Sequence, residues 1–274
     1  MVKRILLISI FLIFRIYADD LPFMFVFVDD KTESKIGEFP YTRDIYAKAI
    51  KVASESGAKA VVLKYFIDEL KDKVSDIELS NSFKEIPVFL QCRLDIKQDH
   101  PNQLPDRFLT PEITFNKANN IISGNSGWIP HEVFTDNCYD VGFVDIYSHK
   151  INQYLPVIGL YHNIPIKSLA IKIFEYLFSE DVRIEDREMI FKGDTYKLTS
   201  RYEYELRLSN KEKLKIYSLI DLLENRIERD ELLEKIVILG YGGNNQGLIT
   251  TPIGELKAHE YFGYVLLSMY YDFK

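Results

Sequence analysis

The chain has 274 residues, is 47% hydrophobic and carries a formal charge of −7. That content builds a sizeable core, and the acidic balance argues against nucleic acid or an anionic membrane surface as partner. Its 2 cysteines, Cys92 and Cys138, lack the close spacing of a redox or zinc motif.

Lys3 and Arg4 precede an apolar run, Ile5 to Phe14, broken only by Ser9. A membrane span needs about 20 apolar residues, roughly twice this run. With Ala18 as a small residue before Asp19, residues 1–18 read as a signal peptide. An uncleaved anchor is the alternative. Residues 19–274 are then expected to form a single domain with no membrane span after cleavage. Outside the cytosol Cys92 and Cys138 can form a disulfide; as separate buried thiols they act as small apolar residues.

Phe23 to Val28 is a continuous apolar run that fits a strand buried on both faces. Thr42 or Asp44 opens a helix with Ile45, Ala49, Ile50 and Ala53 on one face and Gly57 after its end. Ala60 to Ile67 reads as a strand, Ser75 to Phe83 as a short helix, and Pro87 to Cys92 as a third strand. Strands alternating with helices indicate a parallel sheet. Arg93 to Pro130, with Pro101, Pro105, Pro111 and little periodicity, reads as a long loop or lid. Tyr139 to Ile146 and Tyr154 to Leu160 are expected to pair across the turn Ser148-His149-Lys150. An amphipathic helix is expected over Pro165 to Phe178, and Glu180 to Lys192 reads as charged and exposed. Tyr196 to Leu208 carries one or two strands, Ile216 to Leu223 a short helix, and Asp230 to Lys235 a helical turn. Ile236 to Leu239 is a core strand, and Ala258 to Tyr271 a closing helix whose Phe262, Val265, Leu266 and Met269 share a face. The fold class is α/β: a predominantly parallel central sheet flanked by helices, with an antiparallel hairpin and a long irregular insertion.

In open α/β sheets ligands bind beyond the carboxyl ends of the strands. Asp29 and Asp30 end the first strand, Asp68 and Glu69 follow the second, and Gly240 opens the loop after the last. Paired carboxylates hold cations or cap turns through the backbone. Arg43, in the turn before a helix, suits a carboxylate partner, with Asp29 or Asp30 the obvious choice. The run Gly240-Tyr241-Gly242-Gly243-Asn244-Asn245 ends on Asn where a dinucleotide loop has Gly, so no cofactor is expected. Gly124-Asn125-Ser126-Gly127 is not a nucleophile elbow.

Taken in order, these segments resemble the type-two CHASE domain, an extracellular sensory module found with bacterial cyclases and histidine kinases. The resemblance rests on Val28-Asp29-Asp30-Lys31-Thr32, on Gly37 to Arg43 and on Gly57-Ala58-Lys59-Ala60-Val61-Val62. It continues through Val141-Gly142-Phe143-Val144-Asp145, Pro165 to Ala170, Leu233 to Gly240, Thr251-Pro252 and Ala258-His259. Two departures stand out. Lys64 occupies a strand position where the family has an acid, and the acid before Thr-Pro is missing. The resemblance implies a sensor, not an enzyme, with Asp29, Asp30, Arg43, Asp68, Gly240, Thr251 and His259 around a ligand.

The chain stops after its closing helix, so the expectation is an exported domain lacking its own transmembrane and output modules. Its partner would be an unknown small ligand or a membrane signalling protein. A secreted metal-assisted hydrolase using Asp29, Asp30 and His259, and a structural envelope protein, are the alternatives.

Overall fold

The computed structural model describes residues 21–97, 100–114, 120–211, 213–244 and 246–274. The expected signal segment, residues 1–18, lies outside the described residues. No helix among those described is long and apolar enough to cross a membrane.

Strand β1 (Phe23–Val28) is buried throughout. Side chains alternate along a strand, so Phe23, Phe25 and Phe27 enter one core while Met24, Val26 and Val28 enter the other. Helices α1 (Asp30–Ile36) and α2 (Arg43–Glu55) follow. Then come β2 (Ala60–Leu63), α3 (Lys73–Ser82) and β3 (Val88–Asp95). The insertion after β3 contains β4 (Ser123–Gly124) and β5 (Ser126–Trp128). It leads to α4 (Glu132–Thr135) and β6 (Asp140–Phe143).

The expected pairing of Tyr139–Ile146 with Tyr154–Leu160 does not form. β6 pairs in parallel with β3. The second segment splits into β7 (Tyr154–Pro156) and β8 (Ile158–Tyr161), and β8 turns back onto β9 (Ile164–Lys167). His162 and Asn163 make that turn with φ of 49° and 65°. Positive φ at both central residues is what a tight two-residue hairpin requires. The helix expected from Pro165 therefore begins later, as α5 (Leu169–Phe178).

The charged residues of Glu180–Lys192 are exposed as expected, but the segment is not irregular. It carries β10 (Arg183–Glu185) and β11 (Glu188–Phe191), which continue antiparallel into β12 (Asp194–Lys197). Val182, Ile184, Met189 and Phe191 alternate with the charges and are buried. After β13 (Glu203–Glu205), the expected helix over Ile216–Leu223 divides into β14 (Ile216–Ser218) and α6 (Leu219–Leu223). The chain ends with α7 (Arg229–Leu232), β15 (Ile236–Tyr241), the hairpin β16 (Leu248–Thr251) and β17 (Gly254–Lys257), and α8 (Ala258–Phe273).

The architecture is mixed α/β. Its large sheet runs β14-β1-β15-β2-β3, with β6 and β5 both on β3. Every pairing from β14 to β6 is parallel, and β5 is antiparallel. Helices α2, α3 and α6 cover one face; α5 and α8 cover the other, where Val265, Leu266 and Met269 are buried as the helical spacing predicts. Cys92 and Cys138 are free, buried thiols.

One close approach fixes the strand-end region. A Cβ on Gly142 would lie 2.4 Å from Leu169 Cα and 2.5 Å from Leu169 N. Glycine thus lets the start of α5 rest directly on β6. Gly142→Ala is expected to lower stability by about 1–3 kcal/mol, as overpacking does. Gly247→Ala, where the new carbon meets nothing within 4 Å, should stay within about 0.5 kcal/mol of the parent. Urea midpoints of the two variants check this.

Candidate functional site

The parallel strands end at a common edge, and the chain places polar residues just past their apolar runs. Lys64 follows β2. Its side chain keeps the parity of Ala60 and Val62, which points it to the α5/α8 face. There Nζ sits 4.1 Å from the centroid of the Phe262 ring. Lys64 is 4% exposed. Among the described residues its ammonium has no hydrogen bond or ion pair. Burial pulls its pKa down to about 7.

Gln91 on β3 shares the face of Phe89 and is 2% exposed. Ser168, at the start of α5, is joined to Phe143 by an isolated bridge. Its buried hydroxyl makes no hydrogen bond and does not cap the helix. Lys64, Gln91 and Ser168 line one cavity of about 480 Å³, with Phe143, Leu155 and Phe262 among its apolar walls. Arg93 and Asp145 also line it, paired at 3.1 Å. Leu94 N–H donates to the same carboxylate at 2.8 Å. Burial raises Asp145 to about 6 despite these contacts.

His259 lies in the first turn of α8. Tyr241 N–H donates to its Nδ1 at 2.7 Å, so the neutral ring carries its proton on Nε2. Burial, then the nearby charge of Lys64, lowers its pKa to about 3. Gly240 makes this approach possible, since a Cβ there would stand 2.6 Å from the Phe27 ring and 3.1 Å from His259 Nδ1. Tyr65 O–H closes the cluster by donating to Gly240 O at 2.5 Å. A second cavity, about 320 Å³, is lined by Arg43, Tyr46 and Tyr241 and shares Lys64, Gln91 and His259 with the first.

The sequence-derived residues therefore separate. Gly240 and His259 meet at the strand ends, and Arg43 borders the smaller cavity. Arg43 is not paired with Asp29 or Asp30. Its Nε lies 3.6 Å from Asp76 Oδ1, and Nη2 donates to Glu69 O at 3.2 Å. Both partners of that ion pair are buried, with no hydrogen bond between them. Asp29 caps α1: it accepts from Thr32 N–H at 2.9 Å, from Thr32 Oγ1 at 2.7 Å and from Ser218 Oγ at 2.6 Å. Burial works against its ionised form, but those hydrogen bonds win and leave its pKa lowered. Asp30 is exposed in the first turn of α1. Asp68 lies 3.8 Å from His100. Thr251 closes the β16–β17 turn by donating to Gly254 O at 2.7 Å. None of Asp29, Asp30, Asp68 and Thr251 lines either cavity. Among the described residues no group of three or more His, Cys, Asp or Glu side chains could hold a metal ion. The metal-assisted alternative through Asp29, Asp30 and His259 is thus not assembled.

Sequence reasoning missed Lys64, Gln91 and Ser168 as site residues. The available signal was a polar residue extending the alternation of an otherwise apolar strand. Lys64 was visible only as an exchange of charge.

A family model described as CHASE2 domain matches residues 8–270. No curated protein and no solved structure matches the chain.

Removing one partner of a buried ion pair strands the other charge, at a cost of about 3–5 kcal/mol. Arg43→Ala is therefore expected to destabilise the chain strongly, whereas exposed Lys213→Ala stays within about 0.5 kcal/mol; equal urea midpoints would refute this. His259 supplies a pH signature. It titrates at about 3 when folded and about 6.5 when unfolded. Between those values the unfolded chain holds the extra proton, so stability falls as pH falls. From pH 7 to pH 5 this one group removes about 2 kcal/mol. Asp145, raised to about 6, acts in the opposite direction. The informative measurement is the difference between the parent and His259→Gln, whose stability should drop less over the same interval.

Proposed function

The chain belongs to the CHASE2 family, a family of extracytoplasmic sensory domains, and we propose that it acts as a non-catalytic, ligand-binding input. The ligand occupies the cavity at the carboxyl ends of β2, β3 and β6. One observation carries this reading: a cavity of about 480 Å³ with largely apolar walls, lined also by Lys64, whose ammonium lies over the Phe262 ring, and by Ser168, whose buried hydroxyl has no hydrogen-bond partner. Small-molecule sites have this size and this mixture of apolar walls with a few polar anchors. Parallel sheets position such sites beyond their strand ends.

The polar groups suit holding more than chemistry. His259 Nδ1 is tied to Tyr241 N–H, so it is not free to take a proton from a substrate. The Arg93–Asp145 pair satisfies itself. Export is part of the proposal, motivated by Lys3, Arg4 and the short apolar run that follows. A membrane signalling protein would receive the signal.

The test is a thermal-shift screen of the purified chain against small metabolites, alongside an Ala258→Phe variant. Ala258 lines the cavity, and the added ring takes up part of its space. Binding to the folded state alone adds about 2.7 kcal/mol at a hundredfold excess over Kd. The parent should show such a shift and the variant should lose it. A ligand that shifts both chains equally would place binding elsewhere.

A further inference from the structure

We infer that this cavity takes a small carboxylate with an apolar body, its carboxylate held by Lys64 and the first turn of α5 at Ser168. The inference rests on the reading of the cavity as the ligand site and names the ligand class. Lys64 carries the argument. Its ammonium lies 4.1 Å from the centroid of the Phe262 ring and, among the described residues, has no ion pair. A buried charge is stable when an opposite charge completes it. The other cation of the cavity, Arg93, already has Asp145 at 3.1 Å. Lys64 is the one left to be matched by a ligand.

The second, independent observation is Ser168. It is 2% exposed, lines the cavity, and its hydroxyl lacks any hydrogen-bond partner. It precedes a helix of 10 residues without capping it. The first-turn N–H groups of a helix have no partner within the helix, and the helix dipole favours an anion there. Gly142 lets this helix start rest on β6, beside the strand ends. The buried amide of Gln91 supplies a further donor on the same wall.

Charge and shape narrow the class. One ammonium and the partial charge of a helix terminus, roughly half a unit, match a single negative charge. A dianion such as a phosphate monoester would bring excess charge into a space walled by Phe143, Leu155, Phe262 and Val265, and desolvating that charge is costly. A cationic ligand would meet Lys64 unscreened. The apolar walls favour a branched or aromatic body.

The test uses the full chain and calorimetric titration. The probes are 3-phenylpropanoate and 4-methylpentanoate, each beside its own amide, with 2-phenylethyl phosphate as the dianion. Each carboxylate is expected to bind at least tenfold tighter than its amide. Lys64→Met, which keeps the volume and removes the charge, should abolish that preference and leave amide binding no weaker. The comparison of acid with amide on the parent chain stands even if the variant does not fold. An amide that binds as well as its acid, a phosphate that binds tightest, or a preference that survives Lys64→Met each overturns the inference. If a neutral or cationic metabolite alone shifts the parent and Ala258→Phe abolishes that shift, the carboxylate assignment fails while the cavity remains a ligand site. If Ala258→Phe leaves every shift intact, or no compound binds, both fail.

Discussion

Burial of both faces of the central sheet is the constraint on which the rest of this molecule depends. Two-sided coverage obliges β1 and β15 to be apolar at every position, with odd and even residues feeding separate cores. The same alternation extends one residue past the end of β2. It carries Lys64 inward beneath α8 instead of outward to water. The site is thus a continuation of the packing rule with a polar residue in an apolar slot.

That slot is costly to folding. A lone buried ammonium, a serine hydroxyl with no partner and an imidazole kept neutral all oppose folding to some degree. On the reading proposed above, a ligand would supply the partners that these groups lack. Around them the chain is fully committed. Asp29 caps α1, Thr251 closes a turn, and Arg43 secures Asp76 between α2 and α3. Charged residues near the strand ends therefore divide into those that brace the edge and those that face the cavity.

Several differences between sequence pattern and structure, in the segments 154–167 and 180–197, share one origin. Three hairpins pass through two-residue turns in which both central residues have positive φ: His162 with Asn163, Asp186 with Arg187, and Lys192 with Gly193. Only the last contains glycine, so the usual turn signature was largely silent. Charged residues on the outer face hid the apolar alternation of Val182, Ile184, Met189 and Phe191. The β8–β9 turn in particular delayed the start of α5 and set Ser168, not Pro165, at the helix entrance.

Read alone, the sequence determined the alternation of strands and helices, the apolar strands β1, β2 and β15, the inward face of α8 and the family. These are local or period-bound features, visible because a buried strand or an amphipathic helix must repeat its apolar residues at a fixed spacing. It also grouped His259 with Gly240 and Thr251; the structure brings Gly240 to His259, while Thr251 closes the β16–β17 turn. Only the tertiary structure decided which polar groups share a cavity. Lys64, Gln91 and Ser168 lie 27 and 77 positions apart in the chain, and no local spacing relates them. They meet because parallel pairing aligns β2, β3 and β6 edge to edge, and because Gly142 allows α5 to begin against β6.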